Sequence, residues 1–357
     1  MTLNNFPEEI TKNHPLVSVI VLNYNGRRFL EECFRSLVKT SYPNFEIILV
    51  DNNSTDDSIS YTKQNYQQIK IIQTNSNSGY SRAYNISFKK ANGKYFVLLN
   101  NDVKVEPDWL DFLVKAAEND DSIAALQPKI LSMLDTGYFE YAGAAGGFID
   151  KYGFPFLRGR VFFTIEKDNG QYDDEVEVFW TSGAAMFVRA DALKKSGVLD
   201  EDFVHHMEEI DLCWRLRLTG YKLKVIPSSK IYHYAGATIK PDSFKKIYWN
   251  FRNSIFMLIK NLEKKNLIKI LFVRYLLDLL ALSASLIKFD FKKSYAIVKA
   301  HWWLVFHTGL VLKKRRDSQN RRIVSDDKIQ KIIYPKSILI EYFFKGNKTY
   351  PQLVRCE

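Results

Sequence analysis

The stretch YFVLLNNDVKVEP (residues 95–107) is apolar for five residues and then places Asn100, Asn101 and Asp102 in a row. A continuous apolar run of this length is typical of a strand that is buried on both faces. Asn and Asp are also ordinary turn residues, so this polar end decides nothing by itself. Its meaning depends on whether other strands of the chain end in the same way.

The residues before this stretch alternate between short apolar runs and amphipathic helical patterns. Strands are predicted at 17–24, 45–51, 69–74 and 94–100, and helices at 27–40, 56–66 and 81–92. Gly93 is expected to cap the third helix in a left-handed conformation, and a further helix is expected to open at Pro107. Repeated strand–helix units with continuously apolar strands predict an α/β fold: a mostly parallel, Rossmann-like sheet with helices on both faces.

Each predicted strand is followed by a polar segment, at residues 23–26, 51–54, 75–79 and 100–102. Ligands of parallel α/β sheets bind beyond the carboxyl ends of the strands. Four polar ends at the same edge therefore predict a lined cleft, with Asp102 as one of its residues.

The second half of the chain is less regular. Hairpins and loops over the cleft are predicted for about 138–180, a helix for 208–220, a strand for 221–227 and basic, aromatic helices from about 245 onward. The expected organisation is an N-terminal extension (1–15), a catalytic domain (16–244, with a nucleotide-binding part at 16–105 and an acceptor part at 106–244) and a helical basic region (245–357).

The net charge of +11 is concentrated between Lys240 and Arg322, where 19 Lys and Arg face 5 Asp and Glu. Segments 267–289 and 295–316 approach the length of a membrane span, but charged residues interrupt both: Lys269, Arg274, Asp278 and Lys299. Such cationic, aromatic segments predict helices that lie in the headgroup plane of an anionic membrane. A helical subdomain packed on the catalytic domain or on a second copy, and a shallow membrane hairpin, are the alternatives; nucleic acid is not an expected partner.

Three cysteines that are far apart and without metal spacing indicate a reducing compartment, and the N-terminus has no secretory pattern. The expected location is cytoplasmic, peripheral on the inner face of the cell membrane.

Seven segments occur in the order of a known family over residues 16–260. They read VSVIVLNYNG, ILVDNNSTDDS, NSGYSRAYN, LLNND, TSGAAMFVR, EEIDLCWRLRLTGYKLKVIP and HYAGAT. With these segments the chain resembles a family 2 glycosyltransferase of the GT-A fold, close to the bacterial rhamnosyltransferase-like branch. The C-terminal hundred residues lie outside the resemblance.

The resemblance implies a divalent cation, Mg²⁺ or Mn²⁺, that meets the charge of the leaving diphosphate. Asp102 occupies the position of the family's metal motif, which reads Asn-Asn-Asp rather than Asp-x-Asp and so leaves one carboxylate. His233 matches a late histidine that contacts the metal or diphosphate; the alternative is a histidine that fills core space between two tyrosines.

For the nucleotide, the resemblance implies that Asp51 accepts a hydrogen bond from the pyrimidine ring and that Asn23 and Tyr24 hold the base and ribose. Asn101 lies at the same strand end as the metal motif and is assigned to the nucleotide as well. Arg82 is expected at a helix start, facing phosphate or, alternatively, solvent. For Asp51 the alternative is a helix cap.

Glu209 is the expected catalytic base, because it occupies the position of the second acid in the family's Glu-Asp pair. Glu208 is the substitute, and Asp211 with Arg215 is expected to be a structural i,i+4 pair. Helix amides are expected to keep Glu209 ionised at neutral pH. One base without a second, nucleophilic carboxylate predicts a single displacement that inverts the anomeric centre.

Trp180, Ser182 and Gly183 resemble the family's acceptor-side wall, with a tryptophan in the core as the alternative for Trp180. The expected activity is transfer of rhamnose or another hexose from a TDP- or UDP-sugar to a cell-surface polysaccharide or lipid-linked glycan, by a protein that is a monomer or a homodimer through its C-terminal helices. A sugar nucleotidyltransferase and a non-catalytic glycan- or lipid-binding scaffold are the rival functions.

Overall fold

A computed structural model describes residues 14–234 and 243–354. Most of the expected N-terminal extension, residues 235–238 of the HYAGAT segment and Cys356 lie outside the described residues. The strands are β1 (Val17–Asn23), β2 (Phe45–Asp51), β3 (Lys70–Gln73), β4 (Tyr95–Asn100), β5 (Val103–Val105), β6 (Ile123–Ser132), β7 (Gly147–Ile149), β8 (Pro155–Leu157), β9 (Arg160–Val161), β10 (Thr164–Ile165), β11 (Val176–Glu177), β12 (Ala185–Arg189) and β13 (Lys222–His233).

The α-helices are α1 (Arg27–Leu37), α2 (Ser58–Asn65), α3 (Tyr80–Phe88), α4 (Trp109–Asn119), α5 (Ala190–Ser196), α6 (Glu208–Leu218), α7 (Phe244–Asn261), α8 (Lys264–Ile287), α9 (Phe291–Phe306), α10 (Thr308–Asn320), α11 (Asp326–Ile329), α12 (Ile338–Phe343) and α13 (Tyr350–Val354).

The central sheet has the strand order β11-β13-β6-β12-β4-β1-β2-β3, and β5 pairs with β13. Strands β3, β2, β1 and β4 are parallel neighbours, whereas β12 runs antiparallel between β4 and β6. Strands β7 to β10 form a second, antiparallel sheet. The predicted α/β class with a parallel core is confirmed.

Strand β1 shows why this sheet is covered on both faces. Its side chains alternate, so Val19 and Val21 join a core with α1 and α4, while Ile20 joins a core with α3, α6 and α7. In the register of the parallel strands, Asn23 lies opposite Asp51 and Leu22 opposite Asn100. The polar strand ends therefore meet at one edge.

Two helix ends differ from the sequence prediction. Helix α3 ends at Phe88, and Gly93 is not in the left-handed region, so Gly93 is not a helix cap. A Cβ at Gly93 would lie 2.7 Å from the amide nitrogen of Ser18, so glycine is required there for close approach to β1. Helix α4 begins at Trp109, two residues after Pro107.

Strand β13 is longer than predicted, because its pairing with β6 continues past Pro227 through a register shift between Ile226 and Lys230. The added residues pair with β5, with His233 opposite Val103. The extension brings His233 to the strand end that carries Asp102.

The C-terminal helices share their interior with the rest of the molecule. Helix α7 packs against α6, α9 and α10. The buried Lys260 ammonium donates to Asp200 (2.5 Å) and to Asp211 (2.9 Å), and Asn261 donates to the other oxygen of Asp211 (2.8 Å). The predicted Asp211–Arg215 pair is confirmed at 2.9 Å and belongs to this network.

Candidate active site

A cleft of 610 Å³ lies at the carboxyl ends of the parallel strands. All four predicted polar strand ends contribute to its wall, through Tyr24, Asn52, Asn77, Asn101 and Asp102. The prediction of a lined cleft at this edge is confirmed.

Asn23 and Asp51 lie beneath the cleft wall and have no exposed surface. The Asn23 amide donates to Asp51 (3.1 Å), and its oxygen accepts from Asn101 (2.6 Å). The second oxygen of Asp51 accepts from the backbone N–H of Ser54 (2.8 Å). Both side chains thus hold neighbouring residues at the cleft wall in place through hydrogen bonds. Their contact with a nucleotide stays a prediction.

Arg82 and Trp180 do not line the cleft. Arg82 is exposed on α3, which is the alternative that the sequence left open. Trp180 is buried against Gly147, and its indole N–H donates to the carbonyl of Phe148 (2.9 Å). This is the core position that was the alternative to a sugar-stacking role, whereas Ser182 and Gly183 do line the cleft.

Asp102 and His233 lie together on the cleft wall, both almost fully buried. The His233 Nε2 donates to Asp102 Oδ1 at 3.1 Å. On the other side of the ring, Nδ1 lies 3.3 Å from an oxygen of Glu140, which is 1% exposed. The histidine is therefore held between two carboxylates.

Burial by itself lowers the pKa of His233, but the carboxylates of Glu140 and Asp102 outweigh it and raise the pKa to about 10. The two carboxylates thus favour a positive charge at this place, and a bound divalent metal would have to replace the proton that Nε2 donates to Asp102. The described residues contain no group of three or more His, Cys, Asp or Glu arranged for a metal. Asp102 and, after loss of the Nε2 proton, His233 are the residues that would hold a divalent metal, which would supply positive charge to the diphosphate.

Glu208 and Glu209 line the same cleft from the first turn of α6, and one oxygen of each has no hydrogen-bond partner among the described residues. Burial raises the pKa of Glu209 to about 7, against the opposing backbone N–H groups of Glu209 and Ile210. The expectation that helix amides keep Glu209 ionised is therefore wrong, because desolvation is the larger effect. Burial and the charge of Glu209 raise the pKa of Glu208 well above its usual range.

Gly183 allows the acceptor-side wall to approach Glu209. A Cβ at Gly183 would lie 2.5 Å from the Tyr80 hydroxyl and 3.7 Å from the Glu209 Cβ. The Tyr80 hydroxyl donates to the Gly183 carbonyl (2.9 Å). These contacts place the predicted acceptor residue and the predicted base side by side.

The turn before α6 has a strained backbone, with positive φ at Val204, His206 and Met207 (62°, 67° and 73°). The fully buried Asn253 amide of α7 stabilises this turn. It donates at 2.8 Å to the carbonyls of Phe203, His205 and His206. A C-terminal helix therefore fixes the segment that carries Glu208 and Glu209.

Sequence reasoning missed several cleft residues. Lys245 and Trp249 line the cleft from α7, in the region that the sequence assigned to the membrane, and the Trp249 ring lies 5.0 Å from that of His205. Glu140 stands alone in an aromatic, glycine-rich stretch, where no local pattern marks it. The adjacent pair His205-His206, one residue before the two acids, is the signal that could have found His205.

Comparison with known proteins gives a consistent result. The sequence model of glycosyl transferase family 2 matches residues 18–192. An uncharacterised glycosyltransferase of Haemophilus influenzae is 35% identical over 118 residues, which are 32% of this chain and 36% of that protein. The chain thus spans about a third of the length of this relative. The N-acetylglucosaminyl-diphospho-decaprenol L-rhamnosyltransferase of Mycobacterium tuberculosis is 26% identical over 237 residues, covering 61% of this chain and 76% of that protein.

Among solved structures, the mannosyltransferase PcManGT from Pyrobaculum calidifontis, in complex with GDP-Man and Mn²⁺, superposes with a TM-score of 0.51 at 14% identity. The match covers 93% of this chain and 88% of that chain, so it includes most of the C-terminal helices. At this identity the likeness concerns the fold.

Proposed function

Residues 18–192 of this chain belong to glycosyl transferase family 2, and on that basis we propose that the protein is an inverting, metal-dependent glycosyltransferase. The observation that carries the proposal is the meeting of Glu209 with Asp102 and His233 in one 610 Å³ cleft. A base for an acceptor hydroxyl and a cation site for a diphosphate are the two parts that glycosyl transfer from a nucleotide sugar requires.

In the proposed reaction, Glu209 takes the proton of the acceptor hydroxyl while that oxygen forms a bond to the anomeric carbon. The bond from this carbon to the diphosphate breaks, and its electron pair leaves with the nucleoside diphosphate. A carboxylate with a pKa of about 7 is close to the ideal for a general base at neutral pH. Burial and the charge of Glu209 disfavour the ionised form of Glu208, which makes Glu208 the weaker candidate for this role.

Asp102 and His233 would hold the divalent metal, which supplies positive charge to the leaving diphosphate. Glu140 would orient the His233 ring through Nδ1, as carboxylates behind metal-binding histidines do. The acids that line the cleft are Asp102, Glu208 and Glu209. With Asp102 assigned to the metal and Glu209 to the base, the only other acid among the described residues that line the cleft is Glu208, whose ionised form is disfavoured by burial, and this supports inversion.

The donor we propose is a TDP- or UDP-sugar carrying rhamnose or another hexose, and the acceptor a lipid-linked or cell-surface glycan. The support is the 26%-identical relative, whose name states a rhamnosyl transfer to a diphospho-decaprenol acceptor. An acceptor of that class lies in a membrane, which the C-terminal helices of this chain are suited to meet.

Helix α8 supports attachment to a membrane. Within the described residues it is the one helix whose length and mean hydropathy (24 residues, 2.0) would suffice for a span. Arg274 and Asp278, which interrupt the sequence pattern, are buried and paired at 3.0 Å, so they do not interrupt the outer face. That face exposes large apolar side chains, among them Phe272 and Leu276. We propose peripheral attachment at the inner face of the cell membrane, with α8 and α9 in the interface.

The direct test is a thermal-shift screen of nucleotide sugars with Mn²⁺ or Mg²⁺, followed by a transfer assay with the donor that binds. Glu209→Gln should lower turnover by about 100-fold or more while the nucleotide-dependent shift of the melting temperature remains. Asp102→Ala should lose the metal-dependent part of that shift. Unchanged turnover in Glu209→Gln, or an unchanged metal effect in Asp102→Ala, would contradict the assigned roles.

A further inference from the structure

A groove of 410 Å³ lies between α8 and α9, away from the catalytic cleft. Its walls are apolar and partly aromatic. They are formed by Tyr275, Leu279 and Leu282 of α8 and by Ile297, Val298 and Trp302 of α9. The volume is within the range of sites that bind small apolar ligands.

The polar groups of the groove neutralise one another. Asp278 pairs with Arg274 (3.0 Å), and its second oxygen lies 3.4 Å from Nε2 of His301. Arg274 also donates to the hydroxyl of Ser254 (2.8 Å) on α7. The floor thus carries paired charges, and the ligand that fits the remaining surface is a hydrocarbon.

The surroundings of the groove favour a lipid over a second copy of this chain. Exposed apolar side chains flank it, including Phe272 of α8 and Phe306 of α9, whose ring stacks on that of Trp302 at 5.4 Å. Exposed lysines border this apolar face, at Lys269 and Lys292. A symmetric dimer would bring like charges together, whereas anionic lipids complement them.

A single helix separates the groove from the helix that lines the catalytic cleft. Trp302 of α9 faces the groove, while its neighbour Trp303 packs against Phe256 of α7 at 5.9 Å and lies under the guanidinium of Arg252 at 4.5 Å. Helix α7 reaches the cleft through Trp249. A chain of packed residues therefore leads from the groove through α9 and α7 to the cleft.

We propose that this groove holds the isoprenoid chain of a lipid-linked acceptor while the sugar of that acceptor enters the cleft. The inference rests on the proposed function, in which the acceptor carries a sugar that is linked through diphosphate to a hydrocarbon chain. A methyl-branched, unsaturated chain is wider than a straight acyl chain and fills a groove with aromatic walls more completely.

The test uses two tryptophan substitutions on adjacent residues of α8. Leu279 lines the groove and is 56% exposed, whereas Leu280 lies outside it and is 66% exposed. Leu279→Trp fills the groove, and Leu280→Trp adds the same side chain to the same helix. Binding of farnesyl diphosphate and of pentadecyl diphosphate is measured by calorimetry on the full chain, because the two ligands share the diphosphate and the number of carbon atoms and differ in the branching and unsaturation of the chain.

The wild type should bind farnesyl diphosphate about tenfold more tightly than pentadecyl diphosphate. Leu279→Trp should lose about tenfold in farnesyl diphosphate affinity, and Leu280→Trp should stay within about twofold of the wild type. Equal affinity for the two chains, or an equal loss in both variants, would overturn the proposal. So would a dimer, seen by sedimentation, that dissociates only in Leu279→Trp, because it would assign the groove to a second copy.

The nucleotide-dependent melting shift separates this inference from the proposed function. If the wild type shows that shift but no chain preference, the groove assignment fails and the glycosyltransferase proposal stands. If no nucleotide sugar shifts the melting temperature while farnesyl diphosphate binds at the groove, the glycosyltransferase proposal fails, and with it the acceptor role of the groove.

Discussion

Glu208 and Glu209 are neighbours in one buried turn, but their surroundings act on their pKa values to different degrees. Burial raises the pKa of both, and the charge of Glu209 adds to the effect on Glu208. The ionised form is therefore less disfavoured at Glu209 than at Glu208. The choice between the two acids, which the sequence left open, is argued from this difference.

Turnover should rise with pH, with a midpoint near pH 7. The raised pKa means that Glu209 becomes protonated as the pH falls through about 7, and the protonated form cannot accept the acceptor's proton. A pH profile of kcat on the wild type and on Glu208→Gln measures this. The midpoint should remain in Glu208→Gln, and its disappearance would assign the base to Glu208.

Glu140→Gln should weaken Mn²⁺ binding by about 10- to 100-fold, because the amide cannot hold the His233 ring as the carboxylate does. The measurement is a calorimetric titration of Mn²⁺ in the presence of nucleotide. Glu175→Gln, on an exposed loop, is the matched control and should bind Mn²⁺ like the wild type. Equal affinities for Glu140→Gln and the control would leave Glu140 without a role at the metal site.

At the scale of elements, helix α7 connects the catalytic residues with the C-terminal region. Its first turns line the cleft, its middle holds the strained turn through Asn253, and its end joins Asp200 and Asp211 through Lys260. Deletion from residue 261 onward would therefore remove part of a buried network as well as a membrane surface. Point substitutions are the appropriate probes of this region.

Asn253→Ala should lower kcat more than it weakens nucleotide binding, because it releases the turn that positions Glu209, while the Asn253 side chain itself does not line the cleft. Three backbone carbonyls lose their donor, so we also expect a loss of about 1–3 kcal/mol in the free energy of unfolding. Steady-state kinetics and thermal unfolding test this, with Asn250→Ala on the same helix as the control. A fall in stability with unchanged kcat would reduce Asn253 to a structural role.

At the scale of the whole molecule, the apolar face of α8 and α9 is the surface by which we expect the protein to meet a membrane. The double substitution Phe272→Glu and Leu276→Glu should weaken binding to anionic vesicles by tenfold or more, since each exposed side chain would contribute about 1.5–3 kcal/mol when buried. Vesicle co-sedimentation measures this. Phe163→Glu, at a site that is 81% exposed and remote in sequence, should bind vesicles like the wild type.

If the double variant binds vesicles as tightly as the wild type, attachment through this face is contradicted. The melting temperature should be unchanged in both variants, because all three side chains are exposed and carry little of the folding free energy.

The sequence by itself determined the α/β core and the edge of the sheet that carries the cleft. Apolar strands of period two and helices of period 3.6 are local patterns, and the polar residues that follow them, such as Tyr24 and Asp102, meet because parallel strands end together. Glu208, Glu209 and Ser182 could be predicted as cleft residues from the family resemblance.

Only the tertiary structure decided which polar residues reach the cleft and which lie beneath it, because burial is set by contacts between distant segments. It turned Asp51 and Trp180 inward, brought Glu140 to His233 from a segment 93 positions away in sequence, and made α7 part of the active site. It also decided that Glu209 has a pKa of about 7, since desolvation depends on the whole surrounding fold rather than on the helix that carries the residue.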